Sequence, residues 1–196
     1  MIYEIVVDTG ETPNKCTIAP LAYRGDFRLF PVFGEGRLGP LSSPILLHHE
    51  GECLNELKLA NVSGLASVDC VWRRVSRLVS RIDWTNGLPP ILAKIPPGFK
   101  TVYPRVGRPD TDPTGGLATI EAIFIAAAML GCWDASLLSH YYFGRLFILE
   151  NTERFLELGI TEAGQPDKFP RAVPRARDSN SRRRNRGRIP KKDSNI

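Results

Sequence analysis

The segment Leu117 to Leu130 is almost wholly apolar and constrains this chain more than any other stretch. A helix with no polar face has to be enclosed by other elements. From Ile120 onward its residues are apolar or small except Glu121. Burying an unpaired carboxylate is costly, so Glu121 requires a partner, either a backbone amide or an arginine in the preceding loop. Structural and ligand-binding roles both remain open for it. The run Ile123 to Met129 is far too short to cross a bilayer, and the first residues, Met1 to Asp8, lack the basic start of a signal peptide. A soluble, cytoplasmic protein with no membrane partner is expected. At 196 residues the chain suffices for one good-sized domain or two small ones.

Short apolar runs alternate with helical patterns along the rest of the chain. Strands are expected at Ile2–Val7, Pro44–His48, Ala66–Asp69 and Ile91–Ile95. Helices are expected at Cys53–Ala60, Val71–Ile82, Leu117–Leu130, Asp134–Asn151 and Thr152–Leu158. Asp134 is a credible N-cap, and Gly159 suits a helix C-terminus. In the second of these helices Val71, Val75, Leu78, Val79 and Ile82 share a face opposite Arg73, Arg74, Arg77 and Arg81. A long loop, Pro96 to Gly116, carries five prolines and four glycines. This alternation predicts an α/β domain with a largely parallel sheet.

Charge divides the chain. From Arg171 to the end ten Lys/Arg face only Asp178 and Asp193, a net +8. Of the totals of 26 basic and 21 acidic residues, the body keeps sixteen and nineteen, a net −3. Beyond Gly164 the pattern stops and Pro, Arg, Asp, Ser and Asn dominate, so this tail is expected to have no apolar residues to bury and to be disordered in isolation. Arg182, Arg183, Arg184, Arg186 and Arg188 suit non-specific phosphate contact, although a merely solubilising tail would look the same. Arg73, Arg74 and Arg77 form a second candidate RNA patch or an ordinary solvated helix face.

The four cysteines (Cys16, Cys53, Cys70, Cys132) include no CxxC pair, which argues for reduced thiols and against a zinc site. His48-His49-Glu50 invites a metal, yet adjacent strand residues point to opposite faces, so no metal is expected. In parallel sheets ligands sit at the C-terminal strand ends, which directs attention to Asp69 and to the loop after Ile95. Asp69 is suited either to accept a proton or to cap the following helix. Trp72 reads as core, and His140 as a packed surface or interhelix residue. Gly115-Gly116 ahead of a helix allows close backbone approach to a ligand.

Taken in order, these pieces resemble a known family. Asp69-Cys70-Val71-Trp72 is similar to the D-C-x-W element of the small-subunit rRNA aminocarboxypropyltransferases, ribosome-biogenesis proteins related to SPOUT methyltransferases. It also resembles the D-x-x-W signature of the DTW-domain tRNA-uridine aminocarboxypropyltransferases. Leu88 to Ala93 looks like the family's L-P-x-L-x-A segment, and Leu117 to Ala122 like L-[ST]-x-[VI]-E-A. Tyr142-Phe143-Gly144, Phe147 and Asn151 resemble F-x-W-G…F…N, and Lys15-Cys16-Thr17 echoes K-C-[ST]-G. His48-His49-Glu50 is similar to the H-P-x-E stretch of the DTW branch.

The resemblance implies a SPOUT-like sheet with a C-terminal trefoil knot. It implies a small N-terminal α/β part over 1–60, an S-adenosylmethionine-binding part over 61–160 and a basic tail over 161–196. The implied co-substrate contacts are Thr17, Val68, Ile91, Leu92, Leu117, Thr119, Glu121 and Ala122, with Asp69 as the catalytic candidate. The implied activity moves the 3-amino-3-carboxypropyl group of S-adenosylmethionine to a uridine or pseudouridine ring nitrogen in ribosomal RNA. Transfer to tRNA uridine and a non-catalytic RNA-binding assembly factor are the alternatives. The family is generally monomeric, and a monomer is expected here.

Overall fold

The computed structural model describes residues 1–10, 16–87, 89–104 and 116–171. Its centre is a five-stranded sheet in the order β2-β1-β5-β4-β7, in which every neighbouring pair is parallel. The strands are β1 (Ile2–Asp8), β2 (Phe27–Val32), β4 (Ile45–Cys53), β5 (Gly64–Asp69) and β7 (Ile91–Lys94). Two further strands, β3 (Leu38–Leu41) and β6 (Ile82–Trp84), pair parallel to each other beside it. The expected mixed α/β class with a mostly parallel sheet is what forms. The central sheet takes β1, β2 and β4 from residues 1–60 and β5 and β7 from residues 61–160.

Period-two alternation assigns the two faces of the sheet. Tyr3 and Ile5 of β1, Ile45 of β4 and Leu65 of β5 join the larger core, with the helix α2 (Thr119–Met129) and the helix α3 (Gly144–Glu157). Val6, Leu46 and Ala66 face the other way, onto Leu78, Ile82, Leu38 and Leu41. Both faces are covered, as parallel sheets require. The apolar α2 is enclosed as expected, with Ile120, Ile123, Phe124, Ile125, Ala126 and Ala127 fully buried.

Several elements depart from expectation. The helix expected at Cys53–Ala60 does not form. Instead β4 runs on to Cys53, which pairs with Lys94, and Leu54 N–H donates to the Lys94 carbonyl. The helix expected over Val71–Ile82 is a 3₁₀ turn (Trp72–Arg74), a five-residue helix α1 (Val75–Val79) and then β6. Arginines on both sides explain the interruption: Arg81 donates to the Gly34 and Gly36 carbonyls, and Arg37 donates to the Ser80 and Ile82 carbonyls. These bonds draw Ile82 into pairing with Leu38. The Gly- and aromatic-rich stretch after β1, for which no strand was expected, supplies β2 and β3.

The helix expected from Asp134 to Asn151 is broken in two. Asp134 does act as an N-cap, accepting from Ser136 N–H at 2.9 Å, but the turn it starts ends at Leu138. Gly144 then begins α3 where a Cβ would lie 2.8 Å from the Leu138 Cβ, so the chain folds back tightly there. Thr152 to Leu158 is the continuation of that same helix and its C-cap rather than a separate one. Gly159 follows at φ +79°, a conformation that suits glycine.

Candidate active site

From β1 the sheet is next extended by β2 on one flank, and from β5 it is next extended by β4 and then β7 on the other. The topological switch point therefore lies between β1 and β5, where ligands of parallel sheets gather. Asp69 ends β5 at that point, in register with Val7 of β1.

Asp69 is 8% exposed, and both of its oxygens carry a side-chain donor. Thr119 Oγ1, at the start of α2, donates to Oδ1 at 2.6 Å, and Cys16 Sγ donates to Oδ2 at 3.1 Å. The Cys16 sulfur in turn accepts from Ala19 N–H at 3.2 Å. One carboxylate thus ties the end of β5 to the loop after β1 and to the entry of α2. It does not cap the following turn, whose N-cap is Val71 and has no side-chain cap bond. Burial, reinforced by the Asp69 charge and hydrogen bond, pushes the Cys16 thiol up to about 11, so it stays protonated and able to donate.

Glu121 is completely buried and fully partnered. It accepts from Thr101 Oγ1 at 2.6 Å, Val102 N–H at 3.1 Å, Ala118 N–H at 2.8 Å and Tyr141 OH at 2.8 Å. The expected backbone amide partner is present, twice over. Asn151 fastens the same loop from α3, with Lys100 N–H donating to Oδ1 at 2.7 Å and Nδ2 donating to the Lys100 carbonyl at 2.9 Å. The first part of the proline-rich loop is therefore a braced wall beside α2.

Trp72 is half-buried against Gly116, where a Cβ would lie 3.1 Å from the indole. A side chain there would crowd the ring, so glycine lets the approach to α2 lie directly on the indole. The His49 ring meets Trp72 from β4 nearly at a right angle, with centroids 6.0 Å apart.

The other sequence-named residues fall at varied distances from this cluster. Thr119 touches Asp69, and Thr17 follows Cys16 in the chain. Leu117 and Ala122 are half-buried at the start of α2. Val68 packs toward the opposite face of the sheet. Ile91 and Leu92 lie on the edge strand β7, 45% and 39% exposed, two strands away from β5.

Most of the arginine patch is engaged internally. Arg74 pairs with Asp8, Arg77 with Glu35 at 2.6 Å, and Arg81 with loop carbonyls. Arg73 is exposed and forms no ion pair among the described residues. Arg182, Arg183, Arg184 and Arg186 lie outside the described residues. His140 is exposed and shares a 2.7 Å hydrogen bond with Tyr23, which makes it a surface residue.

Sequence reasoning did not pair Cys16 with Asp69 or Tyr141 with Glu121. The first pair is separated by 53 positions, and only the Lys15-Cys16-Thr17 echo pointed toward it. Nothing in the local pattern around Tyr141 marked it as a carboxylate donor. The two adjacent histidines also do not point to opposite faces. Leu47 and Glu52 both register with Ala93, so residues 48–51 leave the ladder, and the His48 and His49 rings lie 4.5 Å apart.

The fold and its strand-end cluster define a parallel α/β protein with a candidate ligand site at the β1/β5 switch point. No family model matches the chain, and no curated protein matches it significantly. Among solved structures it is similar to the SAM-dependent rRNA:acp-transferase Tsr3 from Vulcanisaeta distributa. That likeness has a TM-score of 0.55 at 23% identity and covers 82% of this chain and 84% of the other. No helix among the described residues is long and apolar enough to cross a membrane.

Proposed function

We propose that this chain transfers the 3-amino-3-carboxypropyl group of S-adenosylmethionine to a ring nitrogen of uridine or pseudouridine in ribosomal RNA. The observation that carries the reading is Asp69, buried at the switch point and locked by Thr119 and Cys16, within a fold similar to a protein described as an rRNA acp-transferase. The reading includes a SPOUT-like knot in the C-terminal part, a monomer, and the division into an N-terminal part, a co-substrate part and a basic tail.

In this reading the exposed apolar edge at Ile91 and Leu92, together with Thr17, Leu117, Thr119 and Ala122, holds the nucleoside co-substrate. Val68 and Glu121 act from behind: Glu121 holds the loop at Thr101 and Val102 against α2, which keeps the wall rigid. The co-substrate supplies a sulfonium with three electrophilic carbons, and orientation decides which one meets the nucleophile. The acceptor nitrogen loses its proton and forms a bond to the aminocarboxypropyl carbon. The carbon–sulfur bond breaks, and its electron pair leaves with methylthioadenosine. Asp69 orients or accepts the imide proton, with Cys16 and Thr119 fixing its plane. Arg73 and the arginines of the tail supply phosphate contact, while Arg74 and Arg77 serve chiefly to brace the fold.

The test is to incubate the protein with carboxyl-labelled S-adenosylmethionine and either unmodified ribosomal RNA or tRNA. Uptake into ribosomal RNA is expected, and Asp69→Asn should slow it at least about tenfold with the fold intact. Uptake into tRNA alone would contradict the assigned substrate. Full activity of Asp69→Asn would remove Asp69 from the mechanism.

A further inference from the structure

Residues 48–51 leave the β4 ladder at the C-terminal side of the sheet, on the strand next to the one that ends in Asp69. Gly51 anchors the excursion. A Cβ there would lie 2.5 Å from the Leu92 carbonyl carbon, so the backbone of the bulge rests directly on β7. Trp72 packs against His49, with the two rings nearly perpendicular. The result is a fixed platform on which three potential ligands face one another. His48 Nδ1 and His49 Nε2 each lie 3.9 Å from a Glu50 carboxylate oxygen, and one donor atom from each residue falls within 4.8 Å of the others.

We propose that His48, His49 and Glu50 form a binding site for a divalent transition-metal ion of the zinc class. Two imidazoles and one carboxylate favour such ions over magnesium or calcium, which prefer all-oxygen shells. Around a tetrahedral ion with bonds of about 2.0–2.1 Å, donors stand about 3.3 Å apart. Contraction from the observed separations falls to the two exposed side chains, Glu50 at 71% and His49 at 45% exposure, which close on the buried His48. His48 is buried at 7% exposure, so its ring is held in place while the other two ligands adjust. The ion would displace the long 3.3 Å contact from Glu50 N–H to His48 Nδ1. With three protein ligands and a solvent-facing side, one coordination position stays open to water or to an anionic oxygen.

The site is independent of the proposed transfer chemistry and is tested by binding alone. The full chain is stripped with EDTA, desalted and titrated with ZnCl₂ by calorimetry, and Co²⁺ absorption reports ligand type. One equivalent is expected, with weak d–d bands and no thiolate charge-transfer band. His49→Gln and Glu50→Gln, both at exposed side chains, should each weaken binding by about tenfold or more without changing the metal-free melting temperature. Absence of saturable binding would overturn the proposal. So would a thiolate band, or unchanged affinity in both variants, since either would place the ion on the cysteines or elsewhere.

Discussion

Glu121 and Asp69 are both buried carboxylates, and their surroundings give them different tasks. Among the described residues Glu121 accepts four hydrogen bonds, so its value lies in satisfying Thr101, Val102, Ala118 and Tyr141 together. Glu121→Gln would turn an amide donor toward some of those donors and leave them unpaired. A loss of about 2–3 kcal/mol is expected from urea denaturation, with faster hydrogen exchange at Val102. At Asp69 the measurable consequence falls on Cys16. The thiol is held near 11 by burial and by the Asp69 charge, so Asp69→Asn should lower that value in part. Mass spectrometry should then show Cys16 alkylating several-fold faster near pH 9, because reactivity follows the thiolate fraction. An unchanged rate would mean that Asp69 does not hold the thiol. The need of Glu121 for a partner was legible in the sequence because a charge inside an apolar helix has few solutions. Its side-chain partners Thr101 and Tyr141 lay about twenty positions away on either side, where periodicity carries no information.

At the scale of elements, strands that end in sharp polarity changes were readable, and those in irregular company were not. Ile2, Ala66 and Ile91 open or occupy apolar runs that became β1, β5 and β7, whereas β2 contains Arg28 and Pro31 and gave no strand pattern. It forms because Tyr3 stacks on Phe27 at 4.8 Å and the main chain pairs with β1. The break after Leu138 was equally hidden, since it depends on Gly144 meeting a backbone six positions earlier. The start of β2 is also fastened by charge. Arg24 pairs with Asp26 at 2.7 Å and Asp134 at 2.8 Å, bridging it to the turn before α3. Hydrogen bonding to Arg24 lowers the Asp26 pKa; burial alone would raise that of Asp134, but its bonds to Ser136 and Arg24 outweigh it and lower it. Both folded values are depressed, so this contribution is present above the ordinary Asp value of 3.8 and is lost as pH falls through the folded values. Arg24→Gln should therefore destabilise the protein at neutral pH, by about 1 kcal/mol after solvent screening. It should also flatten the fall in melting temperature below about pH 4. A parallel acid profile in the variant would contradict the linkage.

The whole molecule joins a body of net −3 to a segment from Arg171 onward of net +8, and RNA capture would fall largely to that segment. Deleting residues 171–196 should weaken RNA binding and flatten its dependence on salt, by up to about 0.9 in the log–log slope for each phosphate that the segment neutralises. Affinity and slope that are both unchanged would move capture to the body, where Arg73 is the exposed candidate. The central claim concerns which carbon of the sulfonium is transferred. The direct measurement gives the protein unmodified ribosomal RNA with S-adenosylmethionine labelled in the carboxyl carbon in one reaction and in the methyl group in another. Carboxyl label entering the RNA without methyl label is the predicted result. Methyl label entering without carboxyl label would make the chain a methyltransferase and contradict the account.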